Sequence, residues 1–435
     1  MDAAATSAIA LEASTVIDPD VWADPYPFYQ RLRQEHPVWL VPGLDLAFVA
    51  THDLIVDALR RIDDFSNHLD VLVITGDDGN PALFRTDEFG EGTTTLATAD
   101  PPEHTVHRSV VFPELVAKRM EAMRPEIEAF IDEQFTVARA QGAKLGATSA
   151  PGAKTIQSAS HTSRVEWAST VAHPVPARVI GRLIGLPDED WPNVMKWALH
   201  GGLLLAGFPT RANLAAITEE SIEAGGYLFT KLMESGREPG DDLVGVCAKA
   251  VANGDLDVGD AIGTLTVLLG AGGESTASLI GNAVRMLADD PALQAQIRAD
   301  HSLLGNFIEE AVRLESPFRG HYRQVKRDCE LGGVALKAGT TAFLLWSSAN
   351  RDPAEHDRPD EVVLNRRIPR SHLAFGRGIH HCVGAPLARL ETLCSLERLL
   401  QESSWFTLAD DDPPRWENSI FVRRHEHLPL DVTWN

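Results

Sequence analysis

The chain reads as a mainly α protein with small β-sheets, and three features of the sequence predict that class. From "VPARVIGRLIGLP" to about residue 315, apolar side chains recur at three- and four-residue spacing, the period of helices buried along one face. The strand-like pieces are short and scattered, notably "VWLVPGLDLAFVAT" near the start and "CELGGVALKAGTTAFLLW" from residue 329. No internal repeat interrupts the pattern.

Taken in order, the first hundred residues set a short helical piece, "DPYPFYQRLRQEH", before the first strand-like stretch. Residues 67–95, "NHLDVLVITGDDGNPALFRTDEFGEGTTT", are rich in Gly, Asp and Thr and read as one long loop, of a length that is usually functional or disordered. Residues 141–163, "QGAKLGATSAPGAKTIQSASHTS", are small, polar and low in complexity, and are expected to form a mobile surface insertion. "TLTVLLGAGGESTASLIGNAVRML", residues 264–287, is apolar on nearly all sides and predicts one long helix through the core. "APLARLETLCSLERLLQE" predicts a further helix, and a strand-like tail closes the chain. The length of 435 residues, taken alone, suggests two or three domains.

Charge and cysteine content narrow the function. A formal charge of -23 argues against nucleic acid, whose phosphates require a basic surface, and against broad attachment to anionic lipid. Cys247, Cys329, Cys382 and Cys394 are too few and too scattered for a disulfide framework. The start lacks the basic and apolar regions of a signal peptide, and no run of about eighteen apolar residues predicts a membrane anchor. The expected location is the cytoplasm, where lone cysteines are available as thiols or metal ligands.

Cys382 lies in "HLAFGRGIHHCVGAPLARLE", among glycines and just ahead of a helix. Gly376, Gly378 and Gly384 permit φ > 0 turns and close backbone approach, and nearby helix N–H groups favour a thiolate. A buried space-filling thiol is one reading. A zinc site drawing on His372, His380, His381 and Cys382 is another, disfavoured because adjacent histidines hardly face one tetrahedral centre. In the long helix Gly270, Gly272 and Gly273 cluster, predicting a kink or a ligand pressed against the helix. Glu274, Ser275 and Thr276 follow at once. They either satisfy themselves against the preceding turn or form a proton relay beside whatever sits at the glycines. Glu310 with Arg313 at i, i+3, and His104 with Arg108 at i, i+4, each share one helix face. Arg323 falls in a strand-like piece.

In this order, these segments resemble the cytochrome P450 family of haem-thiolate monooxygenases. "FGRGIHHCVG" is similar to its haem-binding loop, with Phe375, Gly378, Cys382 and Gly384 at the family spacing. "AGGEST" resembles its oxygen-activating segment and "EEAVR" its Glu-x-x-Arg helix; "DPPEHTVHR", "SPFRGHYRQVKRDCELGG" and "ANRDP" match at corresponding intervals. The resemblance implies a single triangular, mostly helical domain over residues 1–435. It implies haem b (iron protoporphyrin IX) with Cys382 as axial thiolate and only metal ligand. His104, Arg108, Arg323 and His380 would be cations for the haem propionates, Gly272 would lie against the haem, and Glu310 and Arg313 would brace the loop. Glu274, Ser275 and Thr276 would be the catalytic proton-handling group. Serine stands here where the family commonly has threonine. Glu361 stands where arginine is often found, so Arg358 or Arg366 would have to replace it.

The implied reaction inserts one oxygen atom of O2 into an apolar organic substrate, with electrons from a ferredoxin or flavodoxin and its reductase. Arg377, Arg389, Lys118 and Arg119 are candidates for docking that donor. Residues 71–97, 197–210, 265–275, 317–322 and 418–422 are expected to line the substrate pocket, with Arg319 and His321 as possible recognisers of a carboxylate or carbonyl. A peroxide-driven peroxygenase and a non-catalytic haem-binding gas sensor are the alternatives. The intact acid–hydroxyl segment argues against both.

Overall fold

Why residues 258–289 run as one helix is visible in their burial. In this computed structural model the helix Val258–Asp289 buries Leu265, Leu269, Ile280, Val284 and Leu287, the apolar repeat read from the sequence. Asp257 caps its start by accepting from the Asp260 N–H at 2.7 Å, and Asp290 ends it while capping the next helix. Each such leucine stabilises the fold by about 1.5–3 kcal/mol of transfer energy. The structure describes residues 10–89, 94–146, 161–367 and 370–435.

The helices that position the site are α1 (Glu103–Val111), α2 (Arg124–Gly146), α3 (Pro174–Ile184), α4 (Trp191–Gly201), α5 (Arg211–Ser235), α6 (Val258–Asp289), α7 (Leu304–Leu314) and α8 (Ala385–Glu402). They share one apolar cluster that includes Ile131, Val179, Leu228, Leu269, Phe307 and Leu396. The principal sheet uses β1 (Val38–Leu40), β2 (Leu46–Val49), β3 (Phe65–Ser66), β4 (His321–Val325) and β5 (Thr341–Leu344), in the order β1-β2-β5-β4-β3. Only β2 and β5 pair in parallel, with Thr341 opposite Leu46. Alternation divides its two faces. Phe48 and Phe343 join an aromatic cluster with Trp22, Phe28, Tyr29 and Trp39, whereas Val49 and Leu344 join one with Ile55 and Trp346. Outside this sheet, Ser403–Leu408, Pro429–Trp434 and His161–Glu166 form a second, three-stranded sheet.

Three expectations are refined. Of the two readings of the Gly270–Gly273 cluster, a kink or a ligand against the helix, α6 runs on as one helix and Gly272 borders an internal cavity. Gly272 and Gly273 also serve helix packing. A Cβ on Gly272 would stand 2.8 Å from Ile180 on α3, and one on Gly273 would stand 2.6 Å from Ala198 on α4. The supposed loop 67–95 contains a hairpin, Val71–Thr75 against Pro81–Arg85, because "VLVIT" is β-branched and "GDDGN" supplies the turn. Of the expected insertion 141–163, residues 141–146 continue α2 and residues 161–163 open a strand, while residues 147–160 lie outside the described residues. Among the described residues, no helix is long and apolar enough to cross a membrane.

Candidate active site

Cys382 sits on a turn between Leu373 and the start of α8. Gly376 (φ 66°) and Gly378 (φ 76°) occupy the left-handed region, which only glycine enters without strain. The turn is pinned where the Gly376 N–H donates to Leu373 O at 2.7 Å and the Cys382 N–H to Phe375 O at 2.8 Å. The N–H groups of Gly384 and Ala385, the free donors at the beginning of α8, favour the ionised form of the Cys382 sulfur. Burial pushes the thiol up, while these donors and the charges of Arg389 and Arg108 oppose it. The side chain is enclosed by protein, yet its surface is open to an internal cavity.

That cavity, about 1380 Å³ counting its mouth, gathers many of the residues the sequence singled out. Arg108, Gly272, Ser275, Thr276, Arg323, Phe375, His380, Cys382 and Gly384 all line it. His104 lies one layer behind, with its ring 4.0 Å from that of His380. Gly378 shapes the loop without lining the cavity.

Among the described residues, no carboxylate forms an ion pair with Arg108 or Arg323 at one side of the cavity. Arg108 Nη2 donates to His381 O at 2.9 Å. Arg323 is buried and donates to Tyr322 O at 2.7 Å; among the described residues no carboxylate bonds its guanidinium. Burial therefore lowers its pKa to about 10, against the pull of Asp100. His104 Nε2 is buried without a partner, and burial pushes His380 down to about 3. An anionic group bearing two carboxylates, with a centre that takes a thiolate, fits this donor set. A zinc site does not: His372 is committed to Glu309 at 3.0 Å, and no metal-holding cluster forms among the described residues.

Behind the loop, Glu310 and Arg313 are wholly buried and pair through two bonds of 2.9 Å. Arg366 adds bonds of 2.8 and 3.0 Å to the same carboxylate. Of the two substitutes considered for the missing arginine, Arg366 therefore takes the role. Arg358 is half exposed and pairs with Glu361 at 3.6 Å. Glu361 contributes only its carbonyl, which accepts from Arg313 at 2.9 Å.

The structure moves several other residues. Glu274 is buried but does not line the cavity; its carboxylate turns to Arg424, 3.3 Å away. Ser275 lines the cavity while its hydroxyl donates back to Ala271 O at 2.6 Å. Arg389 is no free docking cation: it grips Glu309 at 2.6 and 3.1 Å and lies over the Phe375 ring. Arg119 pairs with Glu114, whereas Arg377 and Lys118 are exposed. Arg319 is fully buried, donating to Val422 O and Trp22 O away from the cavity, while His321 lines it. Segments 197–210 and 418–422 do not reach the cavity; Ile420 packs where a Gly207 side chain would stand, and its N–H donates to Ala206 O.

Fold and site together define a helical protein that presents one cysteine, at a helix start, to a cavity edged by cations. The cytochrome P450 family model matches residues 241–430. Cytochrome P450 144 of Mycobacterium tuberculosis is 39% identical over 431 residues, covering 99% of this chain and 94% of its own. The 6-deoxyerythronolide B hydroxylase of Saccharopolyspora erythraea is 30% identical, covering 94% of this chain and 96% of its own. Among solved structures, CYP109E1 from Bacillus megaterium in complex with testosterone superposes with a TM-score of 0.80 at 26% identity, covering 95% of this chain and 99% of that one. The chain belongs to the cytochrome P450 family, whose cofactor is haem iron.

Proposed function

We propose that this protein is a monooxygenase that inserts one oxygen atom of O2 into an apolar organic substrate, with electrons delivered by a separate ferredoxin or flavodoxin and its reductase. The observation that carries the reading is the pairing of Cys382, at the start of α8, with uncompensated cations across one cavity. Haem b would be held through Cys382, with its carboxylates toward Arg108, Arg323 and His380 and with His104 supporting His380 from behind. When bound, it supplies a redox-active iron able to accept electrons and activate O2.

The chain's own residues provide the rest. Leu96, Val267, Leu268 and Phe318 give the cavity an apolar lining that excludes water and suits a bulky apolar substrate. The hydroxylase and the testosterone complex among the relatives support a steroid- or polyketide-like molecule of that kind. Thr276 and Ser275 place hydroxyls on the cavity wall, and with its proton given to Ala271 O, Ser275 Oγ offers lone pairs to a water there. Glu274, one position along, is the acid that supplies protons to this wall. Electrons reach the site from the exposed loop around Arg377, with Lys118 as a second exposed cation. The cavity draws residues from Asn67 to Ala388, which supports treating residues 1–435 as one unit.

The test is the carbon monoxide difference spectrum of the reduced protein. The red-shifted band of thiolate-ligated haem is expected in the parent and in Cys394→Ser, whose thiol is buried beside Arg124. Cys382→Ser should lose it. An unchanged band in that variant overturns the proposal.

A further inference from the structure

Glu274 and Arg424 come from opposite parts of the chain, 150 residues apart, and meet in the interior. Arg424 extends from the loop that joins Arg415–Trp416 to His425–His427, a two-stranded ladder closed by the Glu417 N–H donating to Arg424 O at 3.0 Å. The hairpin is held rigidly: the His425 ring stacks on Trp416 at 3.7 Å, and the Arg423 guanidinium lies 3.8 Å over the same ring. Arg424 is buried, and it touches two acids. Its Nε lies 3.3 Å from Glu274 Oε1, and its Nη2 lies 3.1 Å from Glu417 Oε2. The two carboxylates differ sharply in solvent access, 3% for the Glu274 side chain against 25% for that of Glu417. The Glu274 carboxylate also occupies the space beside Gly202, where any side chain would collide with it.

We propose that Arg424 is the positioning residue of the cavity acid: shared between Glu274 and Glu417, it either holds Glu274 off the cavity as a carboxylate or releases it toward Ser275 and Thr276 as a neutral acid. This rests on the reading of Glu274 as the proton source. One guanidinium compensates one charge well, and the second carboxylate is then left short of a partner. Water stabilises Glu417 but not Glu274, so the buried acid is the one that takes the proton. The guanidinium keeps all its protons and is not a carrier. In the donating step the Glu274 O–H bond breaks, its proton goes to a water held at the Ser275 and Thr276 hydroxyls, that water hands one of its own protons to the reacting group in the cavity, and the carboxylate returns to Arg424. A proton from bulk solvent, relayed through water entering at Glu417, then restores the neutral acid.

The electrostatics agree with that division. Burial raises the Glu274 carboxyl to about 7, while Arg424 pulls it down by charge and hydrogen bond and Glu417 pushes it up. The histidines near this pair are shifted down: burial and Arg424 lower His173, with Glu166 opposing, burial, Lys196 and Arg424 lower His200, and burial with Arg285 and Arg423 lowers His425. Glu220 lies beyond, against His200. Lys196 is engaged by Glu223 at 2.8 Å. Around pH 7 the charges that set the state of Glu274 are therefore those of Arg424 and Glu417.

The experiment is an infrared titration of the whole protein across pH 5–9, following the C=O stretch of a protonated carboxyl that disappears in Glu274→Gln. Glu417→Gln, a partly exposed change expected to fold, should move the midpoint down. Arg424→Gln should move it up by at least about one pH unit, the effect of removing an arginine beside a carboxylate. Arg424→Lys, retaining the charge, should restore most of the shift and guards against a folding defect in the glutamine variant. Opposite shifts from Glu417→Gln and Arg424→Gln are what sharing requires, and a merely structural role would not produce them. An unchanged midpoint in both, or shifts of the same sign, overturns the assignment of Arg424. Undiminished NADH-driven turnover in Glu274→Gln with a surrogate ferredoxin and reductase would instead overturn Glu274 as proton source, whatever the infrared result.

Discussion

Replacing Arg366 by methionine should destabilise the protein by about 3 kcal/mol, whereas the same change at Arg358 should cost less than about 0.5 kcal/mol. The difference follows from where each guanidinium ends. Glu310 is wholly buried and accepts from Arg313 Nε and Nη2, Arg366 Nε and Nη2, and the Val363 N–H, all between 2.8 and 3.0 Å. Removing Arg366 takes away two charge-assisted bonds, each nominally about 1.5–3 kcal/mol, while Arg313 still neutralises the acid. Methionine restores part of the lost packing, which places the net at the lower end of the range for breaking a buried pair. Arg358 is half exposed, and its partners Asp357 and Glu361 are solvated, so solvent screening leaves little to lose. The measurement is urea unfolding at pH 7 for the three proteins, with retained haem as a second readout, because the strap carrying Arg366 leads directly into the Cys382 loop. The carboxyl of Glu310 is held down at about 2: burial raises it, and the bonds from Arg313 and Arg366 outweigh that. The stabilisation is therefore complete above the ordinary value of 4.5 and shrinks as pH falls toward about 2. A penalty under about 0.5 kcal/mol for Arg366→Met, or equal penalties at both arginines, would refute the assignment.

Within α6, Gly273→Ala should cost about 1–3 kcal/mol, because its Cβ would stand 2.6 Å from that of Ala198. Gly270→Ala, with nothing within 4 Å, should stabilise by up to about 1 kcal/mol; thermal melts of the two separate packing from helix propensity. Arg389→Ala should lower stability and haem retention by freeing Glu309, while Arg377→Glu should slow reduction by an acidic electron donor and leave the urea midpoint unchanged. His173 is held neutral by burial, its pKa lowered to about 4, so its folded form costs stability as pH falls from 6.5 toward that value. His173→Gln should flatten the pH dependence of unfolding in that window by about 1.4 kcal/mol per unit.

The elements that periodicity encodes were legible. The long helix and α8 appear where the apolar spacing puts them, because one buried face dictates both. Short, mixed stretches are harder to read. The Gly and Asp content of "VLVITGDDGNPALFR" points to a loop, yet the mostly β-branched "VLVIT" and the apolar "PALF" on either side of a turn suffice for a hairpin. The glycines of α6 were ambiguous for a different reason. A glycine says that something comes close, but not what, and here Ile180 and Ala198 approach from neighbouring helices while Gly272 also borders the cavity.

The site divides along the same line. Residues in the local motif, such as Cys382 just ahead of Gly384 and Ala385, were open to several readings by spacing and were singled out by the family resemblance. Residues that answer a distant charge were harder to find: Arg366, 56 positions from Glu310, was one of two candidates raised by that resemblance, and Arg424, 150 from Glu274, was not foreseen. A signal existed in each case. A charge expected to be buried must find an opposite one, and "FVRRHEH" places two arginines directly after the apolar Ile420, Phe421 and Val422 of the strand-like tail. Arg423 answers Glu315 and Arg424 answers Glu274, so the tail closes two buried acids at once. The Glu361 position makes the same point from the other side. Arg313 still donates to the carbonyls of Pro359 and Glu361, so the strap keeps its path although the side chain at 361 has the opposite charge. The guanidinium that Glu310 needs arrives five residues later, from Arg366. What this fold requires there is a positive group at one point in space, and the sequence position supplying it is free to move as long as the backbone beneath it is held.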